Sequence, residues 1–291
     1  MSTATAPATA GRSRPGARDR RRARSVLKLI ALRWTVFAVA VAMWELAARF
    51  LVPEDYTLYF PPPTTIAKSL VHTWFSGPVS HAFLSKTAVD DLLPSLARLL
   101  GGWGLAGVIG ILLGILLGRS KHALDYVDPL IQFGRSIPAT ALIPVFIVLF
   151  NIGTTMRLSV IVFGVIWPIL LNTIDGARSV EPMQLDIARV SRLTPLERLR
   201  LIIIPAAAPK IFAGLRISLS LSIILMVTSE LVGATDGIGL FLSDAKKTYM
   251  LPEMWSAIVL LGILGYALNT TFLWIERHLL AWHRGVRQID T

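Results

Sequence analysis

The chain has 291 residues, of which 54% are hydrophobic and only 16% are charged, and its mean hydropathy is +0.61. This composition is too apolar for a soluble domain of this size and indicates a membrane-spanning protein. The net charge of +11 does not indicate a nucleic-acid partner, because the basic residues cluster near the N-terminus and beside apolar segments, as membrane anchoring requires. Cysteine is absent, which excludes disulfides and thiolate chemistry.

Six apolar segments are each near the ~20 residues that a helix needs to cross a ~30 Å hydrocarbon layer. We predict an all-α, polytopic membrane protein with six transmembrane helices, at about 32–52, 95–118, 129–150, 157–175, 211–234 and 254–276. Residues 1–31 are predicted to form a disordered basic tail, residues 32–278 the transmembrane domain and residues 279–291 a C-terminal tail. A cleaved signal peptide is the competing interpretation of the first apolar segment, which is longer than a signal peptide requires.

An even number of spans places both termini on the same side of the membrane. Most basic residues outside the spans lie on that side, whereas the other side carries only Lys68, Lys86, Arg157, Lys246 and Lys247. Loops rich in lysine and arginine stay in the cytoplasm. The asymmetry therefore predicts a multi-pass protein with both termini, and the loop at 176–210, in the cytoplasm.

Residues 61–63 are all proline and end any helix that precedes them. Thr64 can cap a new helix, in which Ile66, Leu70 and Trp74 recur every four residues. This spacing is typical of an amphipathic helix at a membrane surface. A plain linker fits the same residues equally well, and we assign no chemical role to either.

The second predicted span contains Gly-Trp-Gly-Leu-Ala-Gly at 102–107, which matches the dinucleotide-binding fingerprint letter for letter. That fingerprint requires a preceding strand and a soluble strand-turn-helix unit, and this segment continues into charge-free hydrocarbon instead. We interpret the small residues as a packing stripe, because Ala106, Gly110, Gly114 and Gly118 recur every four residues and let a neighbouring helix approach closely.

Three polar residues inside the later spans are candidates for a translocation path or gate, because such groups are costly in hydrocarbon. Arg135 lies in the third span, which Pro138 and Pro144 should kink, and it either lines the path or extends to the headgroups. Asn172 in the fourth span either bonds a neighbouring helix or contacts a substrate. Glu230 lies near the end of the fifth span and either gates the path or caps the bundle.

The segment between the fourth and fifth spans is predicted to form two short helices. Pro182 lies in the first turn of the first helix, where no amide donor is needed. Thr194 caps the second helix, Pro195 takes its first position and Glu197 completes a capping box. Pro205 should end the second helix, since proline cannot donate a backbone hydrogen bond.

This segment resembles the EAA loop of binding-protein-dependent ABC importer permeases, written Glu-Ala-Ala-x3-Gly-x9-Ile-x-Leu-Pro. Asp-Ile-Ala at 186–188 stands at its start, Arg192 at its glycine and Ile-Ile-Ile-Pro at 202–205 at its end. The resemblance implies that the loop couples to an ATPase through Asp186, Ile187, Ala188, Arg192, Leu193, Glu197, Ile202, Ile204 and Pro205. Glycine at such a bend usually adopts a left-handed conformation that costs other residues about 1 kcal/mol. With Arg192 there, either the bend is reshaped or a non-identical partner supplies the better loop.

Further runs extend the resemblance to the permease branch that includes nitrate, sulfonate and taurine importers, namely Arg-Ser-Ile-Pro at 135–138, Trp-Pro at 167–168 and Ser-Glu-Leu at 229–231. It implies a type I ABC importer permease fold in the bacterial plasma (inner) membrane. The implied function is an ATP-driven translocation path for a small oxyanion such as an aliphatic sulfonate, taurine or nitrate. The implied partners are ABC ATPase subunits, an extracytoplasmic solute-binding protein and a second permease copy or paralogue.

The chain lacks the Gly-x4-Gly-Lys-Ser/Thr phosphate loop, so we expect a partner subunit to bind and hydrolyse ATP, and no enzyme activity, cofactor or metal in this chain. A vitamin-precursor-type heterocycle is the alternative substrate. An ion-coupled secondary transporter is an alternative mechanism, although only Glu45 and Glu230 supply carboxylates within the spans. A membrane enzyme is less favoured still, since the five histidines have no metal-ligand spacing within the bilayer.

Overall fold

The computed structural model describes residues 17–280 except 54, 55, 57 and 79–82, with side chains from residue 32 onward except at position 33. Every regular element among these described residues is a helix, which confirms the all-α prediction. The helices are α1 Ala17–Phe50, α2 Pro63–Phe75, α3 Leu93–Arg119, α4 Lys121–Ser136, α5 Ile143–Phe150, α6 Thr154–Arg178, α7 Pro182–Val190, α8 Pro195–Arg198, α9 Ile204–Glu230, α10 Ile238–Lys247 and α11 Leu251–Leu279. Short π turns at Ala88–Leu92 and Leu199–Ile203 lead into α3 and α9, and a 3₁₀ turn at Ala139–Leu142 leads into α5.

The chain divides into two units, with the boundary after Thr65. In the first unit α1 begins at Ala17, inside the stretch predicted as a tail; residues 1–16, like residues 281–291, lie outside the described residues. The Glu45 carboxylate accepts hydrogen bonds from Arg49 Nε (2.6 Å) and from the Thr64 amide (3.0 Å). Thr64 lies inside the first turn of α2 rather than at the predicted cap position, because the helix begins at Pro63.

The second unit is built on α3, α6 and α9, with α6 packed against both of the others. α3 and α6 run in the same direction and α9 runs opposite to them, so the end of α9 meets the beginnings of α3 and α6. Apolar side chains are buried where the three helices meet, and the largest are Leu99, Met156, Ile161, Ile169 and Met226. Because the alternative to this burial is lipid rather than water, close packing of these side chains stabilises the bundle.

The predicted small-residue stripe on α3 is the seam against α6. A Cβ atom added at Gly114 would lie 2.5 Å from the Cβ of Thr173, and one added at Gly118 would lie 2.8 Å from the Cβ of Ala177. The two backbones can approach this closely only because these glycines have no side chain. The packing interpretation of the stripe is thus confirmed.

α2 is the helix predicted from the four-residue spacing, and the linker interpretation is excluded. Trp74 is completely buried, and its indole Nε1 donates a 3.1 Å hydrogen bond to Ser256 Oγ on α11. The Trp74 ring also meets the Phe241 ring of α10, with 4.9 Å between ring centres. The buried face of α2 therefore packs on α10 and α11.

The third predicted span, 129–150, is broken rather than kinked. α4 ends at Ser136, Ile137 and Pro138 are extended with ψ of 122° and 121°, and the chain turns by 83° into Ala139–Phe150. Pro138 lacks an amide hydrogen and disfavours a helical conformation at residue 137, so the helix stops there.

The prediction that Pro205 ends a helix is wrong. A continuous helical path runs through Pro195–Glu230, longer than the predicted fifth span at 211–234. The π turn shifts the bonding so that the Ile204 amide donates to the Leu199 carbonyl. Pro205 then stands in the first turn of α9, where its missing amide and fixed φ are tolerated.

Four helical stretches among the described residues are long and apolar enough to cross a membrane, namely Ala88–Arg119, Thr154–Arg178, Pro195–Glu230 and Leu251–Leu279. The broken pair Lys121–Ser136 and Ala139–Phe150 makes a fifth if it counts as one span. α1 covers residues 32–50 of the first predicted span, 32–52, but is not among these stretches. By length and apolar composition, and with the broken pair counted as one span, five of the six predicted spans correspond to a helical stretch in the structure.

Candidate functional site

Residues 182–203 form a helical hairpin, and its bend keeps the geometry that glycine would favour. Arg192 itself adopts the left-handed conformation, with φ of 53°. The Leu193 amide donates to the Ala188 carbonyl and the Arg192 amide to the Arg189 carbonyl, both at 3.0 Å. These two bonds are the Schellman termination of a helix. The bend is therefore not reshaped. Arg192 instead adopts the strained left-handed conformation itself.

The second arm of the hairpin begins with the predicted capping box. Glu197 Oε2 accepts a 2.8 Å hydrogen bond from the Thr194 amide, and Thr194 Oγ1 accepts one of 3.3 Å from the Glu197 amide. Pro195 occupies the first turn, as predicted. Both arms are thus terminated at Arg192–Thr194 by bonds within the hairpin, which fixes the angle between them.

The outer face of the first arm is apolar and exposed. Ile187 is 57% exposed and Val190 85% exposed, and with Met183 they recur at helical spacing. With Asp186 and Ser191 these side chains line a hollow of about 490 Å³. Asp186 is itself exposed and pairs with Arg189 at 3.0 Å. A soluble surface rarely exposes such a stripe unless it contacts a partner.

Ala188 lies on the opposite side of this arm and is completely buried. The resemblance implied that Ala188 couples to an ATPase, but the side chain already packs within the chain. Its neighbours Asp186 and Ile187, which sequence reasoning also selected, are exposed.

The hairpin is anchored to the bundle through an apolar cluster. Ala177 and Val180 at the end of α6 and Ile203 before α9 are buried together, and Leu185 of α7 packs against them. Ile202 also packs on this cluster, whereas Leu193 is half-buried and Ile204 is exposed. The hairpin is therefore packed directly against the ends of α6 and α9.

Arg135 and Asn172, the two predicted path residues in the third and fourth spans, have different surroundings. Arg135 is exposed in the last turn of α4, and its Nε donates a 2.7 Å hydrogen bond to Gln132 Oε1. Asn172 is half-buried, and its Nδ2 donates to the Pro168 carbonyl of its own helix at 2.8 Å rather than to a neighbouring helix. A Cβ added at Gly214 of α9 would meet Asn172 at 2.8 Å, so Asn172 faces a helix seam.

Glu230 is buried at the opposite end of the bundle within a network of charges that sequence reasoning missed. Arg98 Nη1 donates to Glu230 Oε1 at 2.8 Å and Arg98 Nη2 to Asp236 Oδ2 at 2.5 Å, while Arg157 Nη1 reaches Asp236 Oδ1 at 3.2 Å. Ser95 Oγ lies 2.8 Å from both Glu230 oxygens. Arg157, which we expected in a loop, is thus buried and joins α6 to this network.

Backbone amides complete the network. The Gly239 amide donates to Glu230 Oε2 at 3.1 Å, and the Gly237 amide donates to Asp91 Oδ1 at 3.0 Å. Gly237 has φ of 116°, and a Cβ there would lie 2.5 Å from the Glu230 carboxyl carbon, so only glycine fits. Burial alone would raise the pKa of Asp236, but hydrogen bonds and charge from Arg98 and Arg157 hold that pKa below its usual range. The sequence did carry a signal for this network, because Arg98, Arg157 and Glu230 are all charged residues near the ends of predicted spans.

Within the described residues, no three His, Asp or Glu side chains converge as metal ligands would. The functional features are therefore a helical hairpin with an exposed apolar stripe, a broken span carrying an arginine, and a buried charge network at the far end. Together with the apolar spans they define an integral membrane protein that carries a helical hairpin between two of its spans.

Comparison with known proteins agrees with this class. Residues 109–284 match the family described as binding-protein-dependent transport system inner membrane component, and the chain belongs to this family. It is 29% identical over 245 residues to the putative aliphatic sulfonates transport permease protein SsuC of Bacillus subtilis, covering 84% of this chain and 85% of that one. It is 36% identical over 186 residues to the nitrate import permease protein NrtB of Synechocystis sp., covering 64% and 68%.

Among solved structures, the chain resembles a chain of the MetNI methionine ABC transporter in an inward-facing conformation, with a TM-score of 0.59 and 21% identity. The match covers 67% of this chain and 99% of the other. The fold is thus that of an ABC importer permease, and the protein is a multi-pass membrane protein, as predicted.

Proposed function

We propose that this chain is the permease subunit of an ATP-driven importer that passes a small oxyanion across the bacterial plasma membrane, and that the α7–α8 hairpin receives the force. The observation that carries this proposal is the exposed apolar stripe Met183, Ile187 and Val190 on an arm anchored to α6 and α9. A separate ATPase subunit that buries this stripe would gain about 25 cal/mol for each Å² of apolar surface.

The hairpin is suited to transmit a displacement rather than absorb it. The Schellman bonds at Arg192 and the capping box at Thr194 hold its two arms at a fixed angle, and Leu185 and Ile203 join them to α6 and α9. Closure of two ATPase subunits would therefore tilt α6 and α9 together. Moving a two-state path from about 1:99 to 99:1 requires ~5.5 kcal/mol of differential interaction, so the docked contact must be firm.

The proposed orientation places the hairpin and both termini in the cytoplasm, as the distribution of basic residues favours. ATP would be bound and hydrolysed by the partner subunits, and this chain would need no cofactor of its own. Further proposed partners are an extracytoplasmic solute-binding protein at the far end and a second copy or paralogue of this chain, since a path along the exposed broken span needs a second protein wall between it and the lipid.

The proposed substrate class is a small oxyanion, with an aliphatic sulfonate, taurine or nitrate as the leading members. The similar permeases from B. subtilis and Synechocystis carry sulfonate and nitrate in their names. Arg135, an exposed cation inside the third span, is consistent with an anionic substrate.

The test compares Ile187→Glu with Gln184→Glu in the complete transporter reconstituted in liposomes. Both side chains are exposed on α7, but only Ile187 lines the hollow. We expect Ile187→Glu to lower ATP-dependent uptake of taurine or nitrate at least tenfold and to reduce co-purification of the ATPase, with normal membrane insertion. Gln184→Glu should retain both properties. Equal uptake and equal co-purification in the two variants would refute the docking role.

A further inference from the structure

The break in the third span leaves non-helical backbone exposed between the amphipathic α4 and the turn that leads into the apolar α5. Ile137 and Pro138 are extended, and Arg135, Ser136, Pro138 and Thr140 are all exposed. The last carbonyl groups of a helix have no partner within that helix. At membrane depth, such backbone is tolerated only where protein covers it or water reaches it.

One side of the break is fixed tightly to the bundle. Gly134 lies directly against the Trp167 ring of α6, and a Cβ added at Gly164 would lie 3.0 Å from the Cβ of Ala139. Leu225 of α9 closes the same contact. The break therefore cannot rotate to bury its polar groups, and its open side must face something other than hydrocarbon.

The polar groups along this open side share one helical face. Arg135 Nε donates to Gln132 Oε1 at 2.7 Å, and Gln132 Nε2 donates to Asp128 Oδ1 at 3.2 Å. Gln132 thus occupies one of the five guanidinium donors and restrains the side chain of Arg135. A restrained arginine beside hydroxyl groups suits an oxyanion, which arginine can bind with two parallel hydrogen bonds.

We infer that residues 135–140 line the water-filled translocation path of this subunit, with Arg135 as the anion-binding cation and Ser136 and Thr140 as its polar lining. This inference rests on the proposed function, because it assigns the path of the same importer. It also places Asn172 outside the path, since that side chain faces the α6–α9 seam.

The absence of cysteine from this chain permits a direct test, because a single introduced thiol is then the only one that the chain carries. The variants Thr140→Cys and Ser136→Cys are prepared in the complete transporter in membrane vesicles. They are treated with membrane-impermeant methanethiosulfonates of similar size and opposite charge. Val108→Cys is the matched control, because Val108 is also exposed but lies on unbroken α3.

We expect Thr140→Cys and Ser136→Cys to react with both reagents, and with the anionic reagent at least tenfold faster. The preference should disappear in an Arg135→Gln background, and Val108→Cys should react with neither reagent. No reaction at either position in a transport-competent complex would overturn the inference. A disulfide between two copies at Thr140→Cys without reagent labelling would also overturn it, because the partner subunit would then cover the break.

The proposed function is tested separately, by measuring ATP-dependent uptake with the unchanged, unlabelled chain in the complex. If the complex that carries the unchanged chain shows no ATP-dependent uptake, the importer proposal fails whatever the labelling pattern. If uptake is normal but positions 136 and 140 are unreactive, only the assignment of the path fails.

Discussion

The Arg98 guanidinium and the Glu230 carboxylate meet at 2.8 Å inside the bundle although 132 residues separate them in the chain. The Arg98 side chain is 6% exposed and that of Glu230 is 0% exposed. Taking both charges out of water is costly, and the ion pair offsets this cost only because Ser95 and the Gly239 amide satisfy the remaining carboxylate oxygens. The pair therefore fixes α3 to the end of α9.

We expect Glu230→Gln to destabilise the protein by up to about 3–5 kcal/mol, because it removes the more deeply buried of the two carboxylates that pair with the Arg98 guanidinium. The double variant Arg98→Met with Glu230→Leu should recover most of this loss, since it removes both charges together and Asp236 keeps Arg157. Thermal unfolding in detergent measures the effect. Asp244→Asn, which removes an exposed ion pair with Lys247, is the control and should change stability by less than about 1 kcal/mol. Equal melting of Glu230→Gln and the control would contradict this account.

The charge network also predicts a loss of stability in acid. The pKa of Asp236 is lowered from its usual 3.8 in the folded state. Its contribution is complete above pH 3.8 and is lost as pH falls through the lowered folded value, because the unfolded chain takes up the proton first. The melting temperature of the wild type should therefore approach that of Asp236→Asn only below pH 3.8. If the melting temperatures of the wild type and of Asp236→Asn stay a constant distance apart from about pH 6 down to about pH 3, the lowered pKa of Asp236 is contradicted.

Arg192→Gly should stabilise the hairpin by about 1 kcal/mol, because glycine adopts a left-handed conformation without steric cost. Arg189→Gly is a matched control three residues earlier, inside α7, where glycine should destabilise by about 1 kcal/mol. Hydrogen exchange of the α7 amides in the purified protein measures both changes. The same direction of change in the two variants would contradict the strain assigned to Arg192.

Gly114→Ala should destabilise the bundle by about 1–3 kcal/mol, because the added Cβ would overlap Thr173 across the α3–α6 seam. Gly104→Ala lies on the same helix with nothing within 4 Å of an added Cβ, and it should be neutral or stabilising. Melting temperatures of the two variants decide the matter. Similar destabilisation by both would indicate that the stripe is not the seam.

The spacing of residues three or four positions apart in the sequence was enough to predict several local features of this protein. The capping box of Thr194 and Glu197 and the glycine stripe of α3 followed from spacing alone, because helix geometry fixes which near neighbours meet. Pro205 misled the same reasoning, since a single π turn at Leu199–Ile203 moves the bonding register and makes the proline acceptable.

The composition and periodicity of the sequence were sufficient to predict a helical, membrane-spanning chain with a charged hairpin. The physical reason is that hydrocarbon requires every backbone group of a span to be bonded within its own helix. The partners of Glu230 and the burial of Ala188 depended on the tertiary structure. Those features arise where distant helices exclude water from each other, and no local spacing records which helices become neighbours.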